Sequence, residues 1–169
     1  PDVLLARLRE LQPGLKRLAV LWSGQSMLEF NGLLKSAGGK LGLTVLIESL
    51  LPEELPDRLR ALDGRIDAIW LPPDPLFITE DSFKTLLLYS KAQRVPLYVP
   101  ASGLVARGAT ASLGYDMREM GAQAGRAAKA ALTNRSSHAF AAAEPGLAVH
   151  RDAAKGVGLT LGPEILSKA

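Results

Sequence analysis

The sequence predicts an α/β protein: a three-layer sandwich built on a mostly parallel, doubly wound sheet. Three observations carry this. Short apolar runs alternate with stretches of helical periodicity, the connections between them are only a few residues long, and Pro and Gly punctuate the joins. At 169 residues the chain is about one domain, or one lobe of something larger. With 47% apolar and 22% charged residues it can bury an ordinary core, which excludes a disordered tail or a collagen-like fibre.

Taken in order, Leu4, Leu8 and Leu11 stand at i, i+4 and i+7, so a short amphipathic helix opens the chain and stops at Pro13 and Gly14. Residues 18–22 form a continuous apolar run, the pattern of a strand buried on both faces. The next helix is expected to put Met27, Phe30, Leu34, Ala37 and Leu41 inward and to end at Gly42. A strand over 43–48, a helix over 53–62 with Leu55, Leu59 and Leu62 inward, and a strand over 66–71 complete a βαβαβ pattern. The stiff Pro72-Pro73-Asp74-Pro75 loop leads to a helix over 80–91, a fourth strand over 95–99 and a short fifth over 110–113. An Ala-rich helix over 117–132 carries Gly121 and Gly125 four apart, which predicts tight packing in an interior. A polar connection over 134–145, a strand over 147–150, a helix over 151–157 stopped by Gly158, and a turn of helix from Pro163 finish the chain.

Several function classes fall away. Without cysteine there is no disulfide framework, thiolate metal site or thiol nucleophile. The net charge of +3 is spread along the chain, with no basic block of the kind that grips nucleic acid. No window reaches the roughly 18 consecutive apolar residues of a membrane span, and the opening PDVLLARLRELQPG lacks the features of a signal peptide. His138 and His150 have no partners at metal-ligand spacing, and no Gly-x-Ser-x-Gly elbow is present. The first turn reads Ser23-Gly24-Gln25-Ser26, so it is no dinucleotide fingerprint, and no cofactor is expected. A phosphorylation receiver would share the alternation and an Asp at the end of the third strand. It would also need an acidic pair after the first strand, where Ser23-Gly24-Gln25-Ser26 stands.

What remains is a set of small polar groups at the carboxyl ends of the strands, where a doubly wound sheet binds ligands. These are Ser23, Gln25, Ser26, Asp74, Ser102 and Asp116, with Trp22, Phe77 or Tyr115 available to cover an apolar part. Hydroxyls, an amide and carboxylates suit the binding of a small ammonium or carboxylate ligand better than they suit catalysis. Each also has a plainer use: Ser23 and Ser26 as caps, Asp74 as the brace of a Pro-rich turn, Asp116 as the N-cap of the Ala-rich helix.

Five segments carry a resemblance. They are residues 11–21, residues 66–74, Arg94-Val95-Pro96, residues 108–121 with Gly114-Tyr115-Asp116, and residues 147–163. In this order and spacing they resemble the second half of ABC-transporter substrate-binding proteins of the type I periplasmic-binding-protein fold, in a branch whose better-known members bind aromatic amino acids. The likeness implies a two-lobed protein that closes on a small-molecule ligand, docks on an ABC permease and is periplasmic or extracytoplasmic and membrane-attached. It implies residues 1–13 as a leading helix and linker, 14–108 as the α/β lobe, 109–146 as a strand and helix crossing toward the first lobe, and 147–169 as a return segment. It places Asp74 and the Ser23 loop in the cleft and matches Asp116 to the family's acidic residue, with Met117 where an aromatic is usual and His150 where Asn is usual. The other wall of the cleft is then expected from a first lobe or from a second copy of the chain. A ligand-sensing or interaction domain of the same fold, acting in signalling or as a dimer, is the alternative.

Overall fold

The computed structural model describes residues 1–23, 28–75, 77–114, 117–134 and 146–166. Its elements run α1 (Asp2–Leu11), β1 (Arg17–Trp22), α2 (Leu28–Lys40), β2 (Thr44–Ser49), a 3-10 turn (Pro52–Glu54) leading into α3 (Leu55–Ala61), and β3 (Ala68–Trp70). They continue through α4 (Glu80–Gln93), β4 (Leu97–Val99), α5 (Ser102–Ala106), β5 (Ala111–Gly114), α6 (Met117–Asn134), β6 (Gly146–Val149), α7 (Arg151–Gly156) and α8 (Pro163–Leu166). Six strands form one sheet in the order β2-β1-β3-β4-β5-β6. All neighbours are parallel except β6, which runs antiparallel to β5.

Strand alternation sorts the core into two layers. Ala19, Leu21, Ile69, Leu71, Leu97 and Val99 face one side, against Leu55 and Leu59 of α3, Phe83 and Leu86 of α4, and Phe77. Leu18, Val20, Ala68, Trp70, Tyr98 and Ala111 face the other, against Leu5, Leu8 and Leu11 of α1, Leu34 and Ala37 of α2, and Ile165 of α8. The expected sandwich is therefore present, with helices on both faces. Gly42 ends α2 at φ +67 and Gly158 follows α7 at φ +78, the left-handed stops their positions require.

Three expectations change. Leu5, rather than Leu4, joins Leu8 and Leu11 in the core, while Leu4 packs at its margin. The helix α5 follows β4 directly and is not foreshadowed in the sequence, being a single short turn with little periodicity to read. Finally, α6 does not pack its glycines: a β-carbon on Gly121 or Gly125 would meet no heavy atom among the described residues, and Leu132 is 84% exposed. Four-residue glycine spacing permits close approach but supplies no partner.

At the amino end of the sheet, one carboxylate ties the chain together. Asp67 accepts the backbone N–H of Lys16 at 3.0 Å and of Arg17 at 2.7 Å, and the Arg17 guanidinium at 2.7 and 3.2 Å. Its carbonyl accepts the Gln12 amide at 3.1 Å, and the other end of that amide accepts the buried Tyr98 hydroxyl at 2.9 Å. Burial by itself pushes the Asp67 carboxyl up. The hydrogen bonds from the Arg17 side chain and from the Arg17 and Lys16 backbone, together with the Arg17 charge, outweigh it and hold the group below its ordinary value.

Removing this acceptor leaves several donors unpaired, so Asp67→Ala is expected to cost about 1–3 kcal/mol by urea denaturation. Because the folded-state pKa lies below the unfolded one, the stabilisation is complete above about pH 4 and is lost as pH falls through the folded value. Asp67→Asn should flatten that acid limb of the stability curve; an unchanged limb would refute the assignment. Two glycines give a paired test. A β-carbon on Gly114 would overlap the Pro100 carbonyl, whereas one on Gly32, in α2, would meet nothing. Gly114→Ala is expected to destabilise by about 1–3 kcal/mol, and Gly32→Ala to stabilise by about 0.5–1 kcal/mol.

Candidate ligand-binding site

The strand order sets where a site can form. From β1 the chain moves outward to β2, then returns to the opposite side of β1 as β3, so a topological switch point lies between the carboxyl ends of β1 and β3, where open α/β sheets bind ligands. Ser23 stands at the first of these ends. Asp74 stands at the second, beyond the buried Leu71 and Pro72.

The two residues meet. Ser23 donates both its backbone N–H and its hydroxyl to Asp74 Oδ2, each at 2.7 Å. The other carboxylate oxygen, Oδ1, accepts the Phe77 N–H at 3.3 Å. The Asp74 carbonyl accepts the N–H groups of Phe77 and Ile78 at 3.2 and 2.9 Å, and the Asp74 N–H donates to the Pro72 carbonyl at 2.8 Å. Asp74 thus braces its own Pro-rich turn and also holds the end of β1. The short contacts from Ser23 have the length of charge-assisted bonds, and both residues are half-buried.

The other sequence-derived candidates divide. Ser102 is the first residue of α5, exposed, at the carboxyl end of β4, the strand beside β3. It takes no part in the hydrogen bonds that join Ser23 to Asp74. Gln25, Ser26 and Asp116 lie outside the described residues, as does Tyr115. Two of the expected aromatic covers are corrected: Phe77 is fully buried between the sheet and α4, and Trp22 is 3% exposed. Apolar side chains at these positions complete the core before they can line a cleft. Trp22 and Trp70 share the α2 side of the sheet by strand alternation. Among the described residues, their buried indole nitrogens meet no hydrogen-bond partner, nor does Oδ1 of Asn31 on α2.

Sequence reasoning missed two contributors. The Phe77 amide, which fixes the second oxygen of Asp74, is a backbone group with no signature in residue type. Gly114 lets the Pro100 carbonyl lie against β5, and the sequence showed only a glycine at a strand end. His150 caps α7, its Nδ1 accepting the Ala153 N–H at 3.2 Å. Among the described residues no cluster of His, Cys, Asp or Glu is arranged to hold a metal ion, and no helix is long and apolar enough to cross a membrane. Two open depressions of about 400 and 650 Å³ lie at the amino ends of the strands, beside Asp67, and are lined by neither Ser23 nor Asp74.

Known proteins share this fold, among them three solved structures. The ABC domain in complex with L-Trp from Streptococcus pneumoniae matches with a TM-score of 0.76 and 22% identity, over 100% of this chain and 59% of its own. A conserved domain protein from Vibrio cholerae O1 biovar El Tor gives 0.76 and 21%, over 100% and 59%. The ligand-free, open structure of a substrate-binding protein with adhesive properties from Clostridium difficile gives 0.77 and 23%, over 94% and 55%. The chain therefore spans a little over half the length of these proteins. No curated protein matches the sequence. The sequence does match, over residues 5–169, the family described as ABC transporter substrate binding protein. With that match running nearly end to end across a lobe of the same fold, the chain belongs to the ABC transporter substrate-binding protein family.

Proposed function

We propose that this chain is the second lobe of a solute-binding component of an ABC importer, and that it holds the polar end of a small amino-acid-like ligand without chemistry. The observation that carries this reading is the Ser23–Asp74 pair, which gathers polar groups at the crevice between β1 and β3. In the proposal the site comprises Ser23, Gln25 and Ser26 after β1, Asp74 after β3, Ser102 after β4 and Asp116 after β5. The Streptococcus pneumoniae structure is a complex with L-Trp, which supports an amino acid as the ligand class. The matched structures are longer than this chain, which supports a first lobe as the other wall of the cleft. In that arrangement residues 14–108 form the lobe, 109–146 cross toward the first lobe, and 147–169 return. The exposed side chains of Met120 and Leu132 on α6 agree with a helix that another body covers. The assembled protein works outside the cytoplasm and delivers its ligand to a membrane permease.

Differential scanning of the full-length gene product against the twenty amino acids tests this. Binding at a hundred times Kd adds about 2.7 kcal/mol, so a matching amino acid is expected to raise Tm by about 5 °C or more. Asp74→Ala should abolish that rise. Absence of any shift across the panel would sink the amino-acid reading. Light scattering on the same protein separates the alternative: a dimer that persists on dilution would favour a sensing or interaction domain.

A further inference from the structure

We propose that Asp74 is a positioning residue, one that commits the Ser23 hydroxyl proton so that Ser23 meets the ligand as a hydrogen-bond acceptor. This rests on the reading above and sharpens it: Ser23 selects a ligand that carries a donor, such as a protonated amine, and the charge of Asp74 reaches that donor through the hydroxyl.

The supply of donors and acceptors assigns the proton. An ionised carboxylate has no proton to give, and a serine hydroxyl has one. In the 2.7 Å contact between Ser23 Oγ and Asp74 Oδ2 the proton therefore belongs to Ser23 and points at Asp74. The remaining capacity of Oγ is its lone pairs. Asp74 is meanwhile well supplied with donors: Oδ2 also takes the Ser23 N–H at 2.7 Å, and Oδ1 takes the Phe77 N–H. Its carbonyl is held by Phe77 and Ile78. A carboxylate fixed in this way across the switch point is suited to hold Ser23 in place at the end of β1. A counterion that grasps a ligand directly would instead keep its oxygens open toward the cleft. An aliphatic hydroxyl suits this role, because its single proton can be spoken for while its oxygen still accepts.

The experiment has two parts, both on the full-length gene product. The first uses no ligand: amide hydrogen exchange at Ser23 is expected to accelerate at least tenfold in Asp74→Ala, with Asp74→Asn restoring part of the protection because its amide oxygen can still accept. Unchanged exchange at Ser23 would overturn the positioning role. The second measures affinity by calorimetry for L-tryptophan and for its counterpart without the amine, 3-indolepropionate. Ser23→Ala and Asp74→Asn should each weaken the amine probe about tenfold and the other probe much less, and the double variant should be no weaker than the lower single one. An amine-selective loss in Asp74→Asn with Ser23→Ala unchanged would mean that Asp74 touches the ligand itself, overturning the proposal, as would losses that multiply. If neither probe binds the unaltered protein, tryptophan is not the ligand, and the exchange measurement alone decides the role of Asp74.

Discussion

The register of β1 against β3 is the constraint on which the rest of the structure depends. β1 is the strand with neighbours on both sides near the switch point, and its pairing with β3 spans only Leu18 to Val20 against Ala68 to Trp70. Side chains alternate with a period of two, so a slip of one residue would send Ala19 and Leu21 to the α1 and α2 face and Val20 to the other. Two aspartates pin this short pairing from opposite ends. Asp67 gathers the start of β1 at the amino end, and Asp74 gathers Ser23, the residue just past its last, at the carboxyl end. A slip would tear both sets of hydrogen bonds at once.

Those two carboxylates meet different partners by position. Asp67 sits where the Arg17 guanidinium and two backbone amides converge, and its charge is spent on holding the fold. Asp74 meets a hydroxyl and backbone amides at the end where the sheet opens. The core separates the two ends. Between them the strands are buried on both faces, with Tyr98 and the leucines of β1 inaccessible to solvent, and burial holds the Tyr98 phenol neutral and donating to Gln12. The fold thus keeps its ionic fastening away from the edge at which a ligand would arrive.

Much of this was legible in the residues. The apolar run that became β1, the helix with Leu34 and Ala37 inward, the stops at Gly42 and Gly158, and the inward set Leu55, Leu59 and Leu62 all follow from periodicity and from the left-handed backbone that glycine tolerates. Less was legible of the candidate site. Ser23 and Asp74 could be picked out as polar residues at strand ends, yet each had a local explanation, a cap or a turn, and the long stretch of intervening chain conceals that they bond to each other. Phe77 and Trp22 misled because an aromatic beside a polar loop reads the same whether it points to the core or to a ligand. Gly121 and Gly125 misled for a related reason: small residues mark where a backbone can approach, and whether one does is a property of the assembled protein.

Continuous apolar runs alternating with stretches of 3.6-residue periodicity, joined by connections of a few residues, determined from the sequence alone that this is a mostly parallel α/β lobe. Tertiary structure decided the rest. It selected which oxygen of Asp74 meets which donor, placed the Pro100 carbonyl against a residue without a side chain, and turned β6 antiparallel at the sheet edge. The physical reason is range. Periodicity is set by neighbours within a turn or a pleat, whereas a hydrogen bond between two strand ends exists only after the sheet has brought together residues that are far apart in the chain.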